Sequence, residues 1–161
     1  MDQSRTRYAV GNFGRVVVMR LAPGDDILPT IIEIAKECGI NQAIIVGGAA
    51  SLSRAHVRNV RRYPESFPIT DEVRVFSELD GPLELLSLSG NITRLENDEP
   101  YIHCHAAISV GRPDSLAVGG HVLPGTVVYS TAELSLVEVT GCDMLRLDDP
   151  ETHVPEVYFN R

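Results

Sequence analysis

The chain has 161 residues, enough to bury a core as one domain without disulfides or metals as staples. Its formal net charge is −8, which argues against a broad nucleic-acid footprint, because phosphate binding rests on clustered Lys and Arg. The three cysteines, Cys38, Cys104 and Cys142, form no Cys-x-x-Cys pair and imply no disulfide framework, which points to a reducing compartment.

The opening MDQSRTRYAV carries charge without the apolar segment of a secretory signal. No apolar run approaches the ~20 residues of a membrane span. The expectation is a cytoplasmic, non-membrane protein. From Tyr8 to Leu21 the run VVVMRL reads as a strand, broken by Pro23-Gly24. Asp25 or Asp26 can then cap a helix, and Pro29 fits its first turn. Leu28, Ile31, Ile32, Ala35 and Cys38 recur near every 3.6 residues, so one apolar stripe is expected on that helix, closed by Gly39.

Beyond Gly39 the chain turns strand-rich. INQAIIVGGAA at 40–50 continues into SLSRAHVRNV, where Arg54, His56 and Arg58 share one face. Residues 63–68 read as a loop, 73–79 as a strand, Asp80-Gly81-Pro82 as a turn, and LELLSLSGNI as a central strand. A turn at 97–100 leads into YIHCHAAISV, and Gly111 to Asp114 turns the chain again. Strands are expected at 115–122, 126–130 and 133–139. The last residues, Pro-broken and polar, read as a tail at 142–161 behind a core of about 8–141. The pattern predicts a single α+β domain with a mostly antiparallel sheet and one main helix near the N-terminus.

In YIHCHAAISV, alternation puts Tyr101, His103, His105, Ala107 and Ser109 on one face. Cys104 falls on the other, wholly apolar face and reads as a small core residue rather than a nucleophile. Two imidazoles at i and i+2 can converge on one ion. His121, in Gly119-Gly120-His121, can join them if the hairpin loop is three residues, Arg112 to Asp114, because His105 then opposes His121. A bulge at the paired glycines would serve equally. Three histidines leave a fourth position for water or substrate, the pattern of a catalytic metal. The bland alternative is a set of hydrogen-bonded histidines.

Glu84, beside Leu86 and Leu88, is a candidate general acid/base or a partner to a ligating His. Arg94 and Glu133 are further candidate catalytic residues. Arg54, His56, Arg58 and Arg62 offer either an anion site or, more simply, a solvated strand face.

The pieces VGGAASLSRAHV at 46–57, GPLELLSLSGNI at 81–92, HCHAAISV at 103–110 and VGGHVLPGTVVYSTAELSLVEV at 118–139 come in an order that resembles the PPC (plants-and-prokaryotes-conserved) domain, in its stand-alone prokaryotic form. That resemblance implies a homotrimer of α+β subunits. Plant members place the domain behind an AT-hook, which is lacking here: GRPD at 111–114 has no leading Arg. The plant partner-binding segment is matched by Gly81-Pro82-Leu83-Glu84-Leu85-Leu86, which keeps the Gly, Glu and final Leu but not the Arg and Phe.

The fold is also similar to that of acetolactate decarboxylase, a zinc enzyme with three histidine ligands. By that analogy His103, His105 and His121 would hold a divalent metal, zinc by preference of imidazole. Two readings follow: metal-dependent chemistry on a small, anionic molecule, or a regulatory, DNA-associated or protein-interaction module without catalysis.

Overall fold

The computed structural model describes residues 7–113 and 116–160. Among the described residues, eight strands and one α-helix follow in chain order. They are β1 (Asn12–Leu21), α1 (Ile27–Glu37), β2 (Ala43–Val60), β3 (Arg74–Leu95), β4 (Pro100–Val110), β5 (Ala117–Val122), β6 (Val127–Thr140), β7 (Asp143–Asp148) and β8 (Pro155–Asn160). They build one sheet in the order β1-β6-β2-β5-β4-β3-β7-β8, antiparallel except for β3 with β7. This is the α+β, mostly antiparallel fold expected. No helix among the described residues is long and apolar enough to cross a membrane.

The sheet does not stay open. β2 also pairs with β3 along most of its length, so the ladder β2-β3-β4-β5-β2 returns on itself. Its inner face carries Ala55, Val57, Leu83, Leu85, Leu88, Ile92, Cys104, Ala106, Ile108 and Val122, all buried. Each large aliphatic side chain among them removes apolar surface worth about 1.5–3 kcal/mol. α1 covers the core with Ile27, Leu28, Ile31 and Ala35.

The helix ends as expected and begins differently. Gly39 takes φ +63° and donates to Lys36 O, while Ile40 N donates to Ala35 O, closing the last turn as a Schellman motif. Asp26 occupies the N-cap, but its carboxylate accepts from Gly125 N at 2.6 Å rather than from the helix. Asp25 accepts from Ala22 N. Both aspartates therefore pin loops.

Three sequence expectations change. Asp80-Gly81-Pro82 is no turn: β3 runs straight through it. Pro82 has no N–H to give, and it sits where the β2–β3 register shifts between Leu52 and Arg54, so no regular ladder bond is lost. The strands expected at 126–130 and 133–139 are one continuous strand, β6, which begins at Val127. The tail is ordered as the β7–β8 hairpin, with β7 taking the edge of β3 at Arg94 and Leu95 just beyond where β2 stops at Ile92.

β5 is the strand that closes the ring, and its glycines make that possible. A methyl on Gly119 would run into Ala106 O, and one on Gly120 would lie 2.7 Å from Arg58 O. No bulge forms there: Gly119 opposes Ala107 and Gly120 opposes Ala106 in regular register. Gly119→Ala is expected to cost about 2 kcal/mol or more, a forced backbone clash with no flexible atom to yield. Urea denaturation measures it, and an unchanged midpoint would refute the close approach.

Candidate metal centre

β4 and β5 pair so that His105 directly opposes His121. The register is the one a three-residue loop produces; Asp114, the last residue of that loop, lies outside the described residues. On its other edge β5 meets β2, where His121 opposes Arg58. Directly opposed residues share a face, so Arg58, His121 and His105 form one cross-strand row on the outer side of the ring. His103 lies two residues along β4 on the same face.

The three rings gather tightly. Centroids are 5.3 Å apart for His103–His105, 4.9 Å for His103–His121 and 5.3 Å for His105–His121. One nitrogen from each lies within 4.8 Å of the others. The Nε2 atoms of His103 and His105 are 3.3 Å apart. Two imidazoles on one tetrahedral ion with M–N of 2.0–2.1 Å would have nitrogens about 3.3–3.4 Å apart, so this edge already has the required length. The donor set fits a borderline divalent ion with a free fourth position.

Two arginines hold the cluster from behind and beside. Arg146, on β7, is 6% exposed. It donates to His103 Nδ1 at 3.0 Å, to Asn91 Oδ1 at 3.4 Å and to Pro155 O at 3.1 Å, and its guanidinium lies 4.8 Å from the Tyr101 ring centre. Its Nε is buried without a partner. Arg58 Nη2 lies 3.3 Å from His121 Nε2.

Arg can only donate, so the hydrogen bonds assign the tautomers. His103 accepts at Nδ1, carries its proton on Nε2 and donates it to His105 Nε2. His121 accepts from Arg58 at Nε2. Burial first, and Arg146 second, pulls His103 down to about 4. Burial and then Arg58 pull His121 down to about 3. Both are neutral imidazoles at neutral pH, the form that ligates metal.

Cys104 behaves as its strand position implies. It is 2% exposed, and burial pushes its thiol up to about 12, so it is packing and not a nucleophile.

The other expected residues lie apart from the histidines. A β3 bulge between Leu85 and Ser87 turns Leu88 inward and leaves Glu84 and Leu86 on the exposed side, so Glu84 does not share a face with Leu88. Glu84 opposes Ser109, four residues beyond His105, and lines a separate open depression with Ser51, Ser130 and Tyr129. Arg94 is held by Asp98 at 3.1 Å and Asp143 at 3.3 Å. Glu133 is exposed on β6 opposite Arg20 and Ala49.

Arg54 is exposed, and His56 Nδ1 lies 3.0 Å from Pro124 O. Of the basic stripe, Arg58 alone contacts the cluster. Arg146 and Asn91 went unnoticed in the sequence, and Tyr101 was placed on the histidine face without a role. The signal for Arg146 was the alternation of Met144 and Arg146, which marks a buried strand face in a segment read as tail.

The model of the Plants and Prokaryotes Conserved (PCC) domain matches residues 8–140. The chain belongs to that family. A plant- and prokaryote-conserved protein of Pyrococcus horikoshii is 25% identical, with a TM-score of 0.76 over 97% of this chain and all of that one. A structure described as the metal-containing protein of Archaeoglobus fulgidus is 24% identical, with a TM-score of 0.76 over 95% of this chain and 99% of that one. The bifunctional protein GlmU of a Synechococcus strain is 28% identical over 147 residues. This PCC chain spans only 21% of that protein's length.

The burial order of the thiols can be checked directly. Cys38 and Cys142 are partly exposed, whereas Cys104 is buried. A disulfide reagent at pH 8 should label two thiols in the folded protein and three in urea. Rapid labelling of Cys104 in the folded state would contradict its placement.

Proposed function

We propose that His103, His105 and His121 hold one divalent metal, zinc by ligand chemistry, and that this PCC domain performs metal-dependent chemistry on a small molecule as a homotrimer. The observation that carries the reading is the convergence of three histidine nitrogens from two neighbouring strands. Such an ion supplies Lewis acidity toward a carbonyl or a water of lowered pKa.

The chain's own residues do the rest. Arg146, anchored on Asn91 Oδ1 and Pro155 O, stands beside the His103 ring, and Arg58 sits on the far side beside His121. The anion site expected of the basic stripe narrows in this reading to Arg58, the guanidinium beside the cluster. Proton transfer falls in this reading to Tyr101, two residues before His103 on the same face, rather than to Glu84 or Glu133, which lie apart from the cluster.

Elemental analysis of untagged protein tests the ligand set. The expected result is about one equivalent of zinc per chain, falling at least tenfold in His103→Ala and His121→Ala while Cys104→Ala retains it. A protein that takes up no divalent ion on reconstitution leaves the histidines as a hydrogen-bonded relay, and the regulatory or interaction reading stands instead.

The assembly is supported by an unpaired apolar face. Val16, Val137 and Ile44 oppose one another in a row across β1, β6 and β2. Phe13, Val16, Val18 and Val46 are more than half exposed there. Such a patch on three adjacent strands marks an interaction surface. Light scattering is expected to return a trimer for the native chain and a smaller species for Val18→Asp. A monomeric native chain at tens of micromolar would refute the assembly.

A further inference from the structure

The ion pairs among the described residues involve Arg7, Arg15, Lys36, Arg74 and Arg94. Arg58 and Arg146 take part in none of them. Both flank the histidine cluster and both are at least partly buried. In a chain of net charge −8, this is a local concentration of uncompensated positive charge.

Lone-pair counting makes the point sharper. A neutral imidazole has one lone pair in the ring plane. Once that pair goes to a metal, the other nitrogen carries the proton and no acceptor remains. A metal on His121 therefore removes Arg58's acceptor, whichever ring nitrogen binds. Arg146 still has Asn91 and Pro155. Among the described residues Arg58 has no other acceptor. A half-buried guanidinium left without an acceptor beside a dication calls for an anion.

The space beside Arg58 shows what that anion would be attached to. A groove of about 450 Å³ runs between α1 and the β4–β5 edge. Arg58 and His121 stand on its wall, and the rest of the wall is almost wholly apolar, including Pro29, Ile32, Ile102 and Leu123. The volume suits a small organic ligand. One free guanidinium matches a monoanion, and its planar fork matches a carboxylate. Arg74, the next cation on that face, is already held by Asp71 at 2.8 Å.

We propose that Arg58 and this groove form a subsite for a small carboxylic acid with an apolar body, its carboxylate at Arg58 and its chain along Ile32, Ile102 and Leu123. The subsite rests on the reading of the histidines as a metal centre, and its test separates the two. Calorimetry measures acetate, butyrate, hexanoate and octanoate against hexanamide and hexyl phosphate. Zinc-loaded and EDTA-treated protein are both titrated, with metal content assayed independently.

The expected result is a gain of about threefold to fourfold per buried methylene. Hexanoate should bind at least tenfold tighter than hexanamide, and more tightly to the zinc form. Arg58→Gln should abolish the preference for acid over amide. Ile32→Ser should flatten the chain-length dependence and leave acetate unchanged, with thermal melts confirming that both variants fold.

Equal binding of hexanoate and hexanamide to zinc-loaded native protein, or none of either, overturns the subsite while leaving the metal centre intact. Tighter binding of hexyl phosphate than of hexanoate overturns the carboxylate assignment. If no zinc binds, the metal reading fails alone: hexanoate preference on the metal-free protein still upholds the subsite, and its absence overturns it.

Discussion

β5 is six residues long and has a strand on each edge, and the histidine cluster depends on that double pairing. Pairing with β4 sets His121 opposite His105; pairing with β2 sets His121 opposite Arg58. A slip of one residue on either edge would turn His121 into the core, because side chains alternate along a strand. Neither edge can slip cheaply, since Val122 is buried beside Val57 and the two glycines fit only where the neighbouring backbones come closest. The register of the ring and the geometry of the site are one constraint.

The electrostatics follow from the same constraint. Closing the ring brings Arg58 to His121, and extending the β3 edge with β7 brings Arg146 to His103. Both arginines donate to imidazole lone pairs, the kind of partner a buried polar group needs, and Arg146 Nε is left buried without one. Burial and the guanidinium charges together keep His103 and His121 neutral. A divalent ion would compete for those same lone pairs. In a metal-loaded state Arg146 would keep Asn91 Oδ1 and Pro155 O, whereas Arg58 would need a new acceptor.

Strand alternation alone separated the histidine face of 101–110 from the Cys104 face, and the hairpin parity that joins His121 was readable as a condition on loop length. The helix was legible because Leu28, Ile31, Ile32, Ala35 and Cys38 recur at helical spacing and Gly39 ends it. Glu84 was misplaced on its face because a bulge, which changes strand parity, leaves no trace in composition. Asp80-Gly81-Pro82 has turn chemistry but lies at a register shift inside β3, where a missing N–H costs no regular ladder bond. The β7–β8 hairpin was hidden by its prolines and charges, and with it Arg146.

By itself the sequence determined the α+β class, the one main helix, the two faces of β4 and the candidate triad of His103, His105 and His121. These rest on local periodicity, which a linear string carries. Only the tertiary structure decided that the sheet closes through β5, that Arg58 and Arg146 flank the imidazoles, and that an apolar groove opens beside them. Those features arise from pairings between segments tens of residues apart. Their register is selected by burial and close backbone approach across the whole sheet, which no local stretch encodes.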